Sequence, residues 1–230
     1  MIFLGGWLST LYGFEEFDHS AREIYANHGI EYLHGKLFHH NKKQFKGWET
    51  DRKIALISDL SAITKEYLGR GFVFGTVKGR YEKGRAELGL NKNISALGFC
   101  LWGIIDKISK DEDLKEIFGE SPDNTLSIFF ESGNHNNGGL ASWIEHIRHK
   151  FKLGWLKPAL PVVKIDSPSV QIADFVTYFH ARKLRLKISN EIDTEPDWLS
   201  LAFPDQYIDA TIAVDFYGKE APPVKKPSSA

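Results

Sequence analysis

Two carboxylates in the second half of the chain have the positions expected of catalytic or metal-binding groups. The first, Glu131, directly follows the apolar run 126–130, so it lies at the carboxyl end of a predicted buried strand. Ligands of α/β sheets bind outside such strand ends. The segment 132–139 that follows is rich in Gly and Asn, which would let the backbone approach a substrate closely. A glutamate in a solvated turn is the alternative, and the residues alone leave both interpretations open.

The second carboxylate, Asp174, lies on a strongly apolar predicted helix. Gln171, Asp174 and Tyr178 fall at i, i+3 and i+7, which predicts a narrow polar stripe on one face of that helix. A carboxylate in such surroundings is expected to be partly buried, and a buried charge must be paired or bind a metal. The alternative to a functional role is a structural ion pair with an arginine such as Arg22 or Arg52.

His34 ends a short predicted strand, 30–33, and is followed by Gly35 and Lys36. A histidine in this position is a candidate general acid or base, or a group that positions a phosphate. The pairs His39-His40 and His146-x-x-His149 do not predict a zinc site. The first two residues are adjacent in the chain, and the second pair has no third ligand close in sequence.

The segment that begins at Lys36 is basic and aromatic. Between positions 36 and 46 it contains four lysines and no acid, interleaved with Phe38 and Phe45 and followed by Trp48. Cations for phosphates and aromatic rings for bases would suit a single-stranded nucleic acid, whereas a solvated basic loop is the alternative. We therefore take as candidate substrate-binding residues Lys36, Lys42, Lys43 and Gln171.

Strands and helices alternate along the chain, which predicts an α/β fold. Predicted strands are Ile2–Leu8, 30–33, 71–77, 125–130 and 159–165, the last two buried on both faces. Predicted helices are 14–26, 51–67, one capped by Ser95 that ends at 108, 140–151, and one from Ser167 and Pro168 to 184. Segments 35–48 and 78–93 are predicted loops. Parallel pairing is expected in the last third.

Length and composition indicate a single domain, 1–217, followed by a disordered tail, 218–230. The chain has 230 residues, a net charge of −1 and one cysteine. A nucleic-acid partner would therefore need a local basic patch. The absence of a signal-like start and of a long apolar run predicts a cytoplasmic protein without a membrane partner. Nothing in the sequence specifies the oligomeric state.

Four segments together resemble one large bacterial family, the domain of unknown function 3800. They are Phe3-Leu4-Gly5-Gly6-Trp7-Leu8, Tyr32-Leu33-His34-Gly35-Lys36, Phe129-Phe130-Glu131, and Asp166-Ser167 followed by Gln171-Ile172-Ala173-Asp174. The last is similar to the family's terminal signature, Ser and then Leu-Gln-x-Ala-Asp. The resemblance covers residues 2 to 185.

This resemblance implies a ribonuclease-H-like fold, a mixed central sheet flanked by helices. Carboxylates from the first strand, the fourth strand and a late helix would bind divalent metal, with Glu131 and Asp174 as the second and third of these. The first-strand member, expected in an Asp-x-Ser-Gly-like stretch before residue 1, is not in this sequence. Two carboxylates are too few for a two-metal site. Either the chain starts after the true first strand, or it is a variant without metal catalysis.

The function that the resemblance favours is a nuclease or phosphodiesterase that uses Mg or Mn to cleave RNA or DNA. Glu131, Asp174 and His34 would be catalytic, with the two carboxylates as metal ligands. The alternative is a non-catalytic member of the same fold that binds nucleic acid or protein. These two functions differ in whether a chelator abolishes activity.

Overall fold

Helices and short strands alternate along the chain, as the sequence predicts. The computed structural model describes residues 1–76, 78–89, 94–114, 124–132, 137–192, 196–202 and 208–212. The strands are β1 (Ile2–Leu8), β2 (Arg70–Thr76), β3 (Phe129–Glu131), β4 (Leu160–Val162) and β5 (Ile208–Ile212). The helices are α1 (Leu11–His28), α2 (Gly35–His39), α3 (Thr50–Tyr67), α4 (Lys78–Glu87), α5 (Ala96–Lys110), α6 (Asn137–Lys150), α7 (Pro168–Ser189) and α8 (Trp198–Ala202), with 3-10 turns at Lys43–Phe45 and Lys164–Asp166.

The strands form two small sheets. In the first, β2 is central: it pairs antiparallel with β1, with Ile2 opposite Thr76, and parallel with β5. In the second, β3 and β4 pair in parallel, with Phe129 opposite Leu160. The predicted α/β class and the parallel pairing in the last third are confirmed. The described strands do not form the one central sheet that the family resemblance implies.

Both sheets lie between the same two layers. Helix α7 contacts β1, β2 and β3 on one face. On the other face, Leu4 of β1, Phe74 of β2 and Phe130 of β3 join one apolar cluster with α5 and α6. Six of the seven residues of β2 are buried, whereas every residue of β1 is at least partly exposed, as expected for a central and an edge strand. Each sheet therefore contributes one side to a shared core.

The larger core cluster lies between α1, α3 and α7, and it includes Phe17, Leu56, Phe175 and Trp198. Helix α2 joins this cluster through Phe38, which is fully buried and meets the rings of Phe45 and Phe175 edge-on. Burial of aromatic side chains of this size contributes several kcal/mol to folding. The core therefore holds α2 against α7, where the candidate site lies.

Three helix boundaries follow from capping residues in the sequence. Thr10 accepts a hydrogen bond from the Gly13 amide at 3.0 Å, and Ser95 accepts one from the Gly98 amide at 3.1 Å, as predicted for Ser95. Gly29 ends α1 in the left-handed conformation, with φ of 69°. Such a conformation strains residues that carry a Cβ atom.

The start of α7 differs from the prediction in its capping group. Ser167 makes no side-chain capping bond, and the carboxylate of Asp18 on α1 instead accepts a hydrogen bond from the Ser169 amide at 2.7 Å. Burial raises the pKa of Asp18 above its ordinary value. The helix also continues to Ser189, beyond the predicted end at 184. Helix α1 therefore fixes the end of α7 that carries the candidate site.

Three local predictions are wrong. Segment 30–33 is not a strand, because side-chain amides satisfy its backbone: Gln44 accepts from the Glu31 amide and Gln171 from the Leu33 amide. Segment 35–48 contains α2 and a 3-10 turn instead of a continuous loop. Segment 78–93 begins with α4, in which Lys83 and Glu87 pair at helical spacing, 3.7 Å apart; positions 90–93 lie outside the described residues.

The strands predicted at 125–130 and 159–165 are shorter than expected and are not buried on both faces. Phe129 is 40% exposed and Leu160 is 50% exposed. They are partners in the β3–β4 register, so they share one face of this sheet. Among the described residues, no helix is both long enough and apolar enough to cross a membrane. The predicted tail, 218–230, lies outside the described residues.

Candidate functional site

Glu131 and Asp174 converge on the ammonium group of Lys164. The Lys164 Nζ atom lies 3.3 Å from Oδ1 of Asp174 and 3.5 Å from Oε2 of Glu131. We call these three residues the carboxylate centre. Two carboxylates 43 positions apart in the sequence thus face a single cationic atom, and the sequence-based pairing of Glu131 with Asp174 in one site agrees with this geometry.

The parallel pair β3–β4 brings two of these residues together. Glu131 is the last residue of β3, and its register partner is Val162, the last residue of β4. The chain then turns through the 3-10 segment that carries Lys164. Because carboxyl ends of parallel strands meet at one edge of a sheet, Glu131 and Lys164 lie at the same end. Asp174 joins them from the second turn of α7, which packs across this edge.

His34 stands on the other side of the Asp174 carboxylate. Its Nδ1 atom lies 3.6 Å from Oδ2 of Asp174, and the Gly35 amide donates a long hydrogen bond of 3.4 Å to the same oxygen. His34 immediately precedes α2, so the start of this helix is held at Asp174. One carboxylate oxygen therefore faces Lys164, while the other faces His34 and Gly35.

Gln171 connects the two segments that carry His34 and Lys164. Its side chain is fully buried. The Oε1 atom accepts from the Leu33 amide at 2.7 Å, and Nε2 donates to the carbonyls of Lys164 at 2.8 Å and Ile165 at 3.2 Å. The prediction that Gln171 binds substrate is therefore wrong, because its amide lies in the protein interior. There it positions the segments of His34 and Lys164.

The exposure of the centre suits a binding site. The side chains of Glu131 and Asp174 are 37% and 31% exposed, whereas Lys164 is 17% exposed. The partial burial predicted for Asp174 is confirmed, and its ion-pair partner is Lys164 instead of an arginine. Partly desolvated carboxylates attract a cation more strongly than surface carboxylates do, because less water screens them. The three side chains of the centre, two acids and one lysine, together carry a net negative charge.

The arginines that the sequence offered as partners of Asp174 are used elsewhere. Arg22 donates to the backbone carbonyl of Asp166 at 2.6 Å. Arg52 donates to the carbonyl of His28 at 2.9 Å, and its guanidinium lies 4.0 Å from the centre of the Trp48 ring. Sequence reasoning missed Lys164, although its place just before Asp166-Ser167 could have indicated it.

The basic segment 36–46 divides into buried rings and exposed cations. Phe38 and Phe45 are fully buried, and Trp48 is nearly so. The prediction that these aromatic side chains stack on bases is therefore wrong, because they form part of the core. The side chains of Lys36, Lys42, Lys43 and Lys46 are exposed, as are those of His40 and Asn41. Lys36 lies in the first turn of α2, next to His34 and Gly35.

Groups that could hold a metal ion are few in the described ranges. No set of three or more His, Cys, Asp or Glu side chains there is arranged to hold one. Neither histidine pair discounted from the sequence forms such a set. Within these ranges, Glu131 and Asp174 face the same cationic group, the Lys164 ammonium.

In comparisons with known proteins, no family model, curated protein or solved structure matches this chain. The resemblance to the domain of unknown function 3800 therefore stays a prediction that these comparisons leave untested.

Proposed function

We propose that this protein is a phosphodiesterase that acts on RNA or DNA with the help of one divalent cation, Mg or Mn. The observation that carries the proposal is the carboxylate centre, where Glu131 and Asp174 each lie within 3.5 Å of the Lys164 ammonium. Two distant carboxylates that already share one positive charge are arranged to share another. The nucleic-acid substrate is proposed from the exposed lysines of segment 36–46, of which Lys36 directly follows Gly35, whose amide donates to the Asp174 carboxylate.

The donor set fits one ion of this kind. Mg²⁺ is commonly bound by one or two carboxylates, while water and substrate phosphates complete its coordination. Hard carboxylate oxygens also favour Mg or Mn over softer metals. Glu131 and Asp174 would hold the ion. A second ion would need additional carboxylates, so we propose a single-ion site for the residues described.

The arrangement of the two sheets supports a ribonuclease-H-like fold. Within the described residues, β1 pairs only with β2 and β3 only with β4, so each has one edge without a strand partner. Helix α7 covers both. One further strand between these edges would join the sheets in the order β5-β2-β1-new-β3-β4. The family resemblance implies a strand at this position that carries the first-strand carboxylate.

Hydrolysis of a phosphodiester forms a bond from a water oxygen to phosphorus and breaks the bond from phosphorus to one ester oxygen. The water loses a proton, and the departing oxygen takes one up. His34 would hold or pass a proton, because its Nδ1 atom lies beside the Asp174 carboxylate. A divalent cation, when bound, would polarise the phosphate and activate the water. Lys164 would counter the charge of the phosphate.

A specific observation also favours the second candidate, a non-catalytic protein that binds nucleic acid. The Lys164 ammonium already neutralises part of the charge of Glu131 and Asp174, so the centre is stable without an added ion. Such a protein would bind through exposed lysines such as Lys36, Lys42 and Lys43. Its binding would weaken with salt and would be unaffected by a chelator.

A cleavage assay separates the two candidates. Labelled single-stranded and duplex RNA and DNA would be incubated with the protein in Mn²⁺, in Mg²⁺ and in EDTA. We expect cleavage that requires the metal, with a loss of at least about a hundredfold in Asp174→Asn. Glu23→Gln, which removes an exposed carboxylate on α1, is the matched control and should retain activity. Salt-sensitive binding without cleavage in any metal would favour the second candidate.

A further inference from the structure

A groove between the end of α2 and the second half of α7 contains two arginines and one carboxylate among its lining residues. Its volume is about 360 Å³. Its polar and charged lining residues are His39, His40, Tyr178, Arg182, Arg185, Ser189 and Glu191. Two guanidinium groups and two imidazoles thus face a single carboxylate. This composition suits an anion.

Two contacts link the residues that line the groove. Arg182 donates from Nε to Nε2 of His39 at 3.2 Å, which joins α7 to α2. The Tyr178 hydroxyl lies 3.5 Å from Nε2 of His40. Arg185 is exposed, and in the part of the chain that the structure describes no carboxylate pairs with it. The groove is therefore formed by contacts between α2 and α7, and it contains one exposed cation, the Arg185 guanidinium.

Tyr178 adds a neutral hydrogen-bond donor to the groove. Burial raises the pKa of its hydroxyl, although the charges of Arg182 and Arg185 oppose this effect, so the proton is retained at neutral pH. The ring packs closely on α2: a Cβ atom added at Gly35 would lie 2.9 Å from Cβ of Tyr178. Because Gly35 has no side chain, α2 approaches α7 closely enough to form the wall of the groove.

The groove continues the carboxylate centre along one face of α7. Asp174, Tyr178, Arg182 and Arg185 follow at intervals of four, four and three residues, which places them on the same helix face. At 1.5 Å per residue, Arg182 lies about 12 Å along the axis from Asp174, roughly the rise of three to four stacked nucleotides. A single nucleic-acid strand bound at the carboxylate centre would therefore reach the groove within a few nucleotides.

We propose that this groove binds phosphate groups of a single nucleic-acid strand that extends away from the carboxylate centre, an inference that rests on the proposed function. Guanidinium groups match phosphate geometry with paired hydrogen bonds, which the lysines of segment 36–46 cannot do. Lys36 is one helical turn before His39 on α2, and His40 directly follows the helix, so Lys36 lies between the groove and the centre. The strand would thus run from Asp174 past Lys36 to Arg185.

The test measures binding of fluorescein-labelled oligothymidylate and oligouridylate of about twelve nucleotides in EDTA, so that no cleavage occurs. In Arg185→Gln we expect a roughly tenfold weaker affinity and a slope of log affinity against log salt that is shallower by about 0.7. Lys187→Gln removes the same charge from the same helix outside the groove, and it should change the affinity less than about twofold. Tyr178→Phe should weaken binding moderately, because it removes only the hydroxyl donor.

The remaining outcomes would overturn the proposal. Equal weakening by Arg185→Gln and Lys187→Gln would mean that only overall charge matters. Competition by free pyrophosphate as strong as that by the oligonucleotide would assign the groove to small phosphate compounds instead of a strand. Absence of binding at low salt would remove the groove as a site. Because metal is absent throughout, these results are independent of whether the carboxylate centre binds Mn²⁺ or cleaves.

Discussion

Gln171 donates a hydrogen bond of 2.8 Å from Nε2 to the backbone carbonyl of Lys164. The same fully buried side chain accepts a bond from the Leu33 amide, next to His34. One amide therefore fixes both segments that face Asp174. The positions of His34 and Lys164 depend on a residue that itself does not reach the surface.

Replacement of Gln171 by leucine should destabilise the fold. The change leaves the Leu33 amide and the Ile165 carbonyl without their partner, which costs about 1–3 kcal/mol for each group left buried. The Lys164 carbonyl loses one bond but keeps the one from the Ser167 amide. Urea denaturation of the purified variant measures this loss. Gln44→Leu is a useful comparison, because Gln44 bonds the same backbone segment from a half-exposed position, and its loss should be smaller. Equal stability of Gln171→Leu and the parent would contradict the positioning role.

Lys164→Met should increase the affinity of the protein for Mn²⁺. The ammonium and a divalent cation compete for the same two carboxylates, and methionine keeps the apolar stem without the charge. We expect a gain of roughly tenfold, equivalent to about 1.4 kcal/mol, by titration calorimetry. Lys183→Met removes a lysine that pairs with Asp197 at 2.7 Å away from the centre, so it should leave Mn²⁺ affinity unchanged. Weaker Mn²⁺ binding in Lys164→Met would show that Lys164 does not compete.

His180 should make the fold sensitive to acid. Burial, together with the nearby charge of Lys183, lowers its pKa to about 4. The folded state binds the proton of His180 less readily than the unfolded state does. The contribution of neutral His180 to the free energy of unfolding is therefore complete above pH 6.5 and is lost as the pH falls towards 4. The shift corresponds to about 3 kcal/mol.

The measurement is the free energy of unfolding of the parent and His180→Leu between pH 7.5 and about 4.5. The variant should lose less stability over this range than the parent does. His19→Gln, which changes an exposed histidine on α1, should follow the parent curve. Parallel curves for His180→Leu and the parent would refute the assignment.

Cys100 should report unfolding of the apolar cluster that α5 and α6 form with Phe74. Its side chain is fully buried, and burial raises the pKa of its thiol to about 12. Since only the exposed thiolate reacts readily, Ellman's reagent at pH 8 should label the native protein very slowly and the urea-unfolded protein at once. The chain has no other cysteine, so the signal is unambiguous. Rapid labelling under native conditions would mean that α5 opens easily.

Much of the fold followed from local sequence signals. The α/β class and the ends of α1 and α5 depend on apolar spacing, Gly29 and Ser95, whose effects are local. Segment 30–33 was mistaken for a strand because its backbone partners, Gln44 and Gln171, are side chains that no periodicity reveals. The helix α4 forms despite two glycines that predicted a loop, because Tyr81 packs against α5, a tertiary contact. Phe38 and Phe45 are core residues because α2 folds onto α7, a tertiary contact.

The candidate site was predicted in part for a similar reason. Glu131 and Asp174 stand out because an acid at a strand end or on an apolar helix is locally unusual. Lys164 does not stand out in the sequence, because the predicted strand 159–165 placed it within an apolar run. In the structure it lies in the turn after β4. Its role depends on the β3–β4 register, which sets the end of β4 beside Glu131. The groove at Arg182 and Arg185 depends on the packing of α2 against α7, which no local signal predicts.

The central claim is that Glu131 and Asp174 together bind one divalent cation, and calorimetric titration with Mn²⁺ tests it most directly. The protein should bind one Mn²⁺ per chain, and both Glu131→Gln and Asp174→Asn should abolish the signal while Glu23→Gln retains it. Because the readout is binding, it does not depend on the correct substrate. Absence of Mn²⁺ binding in both the parent and Lys164→Met, or binding that survives both carboxylate substitutions, would contradict the claim.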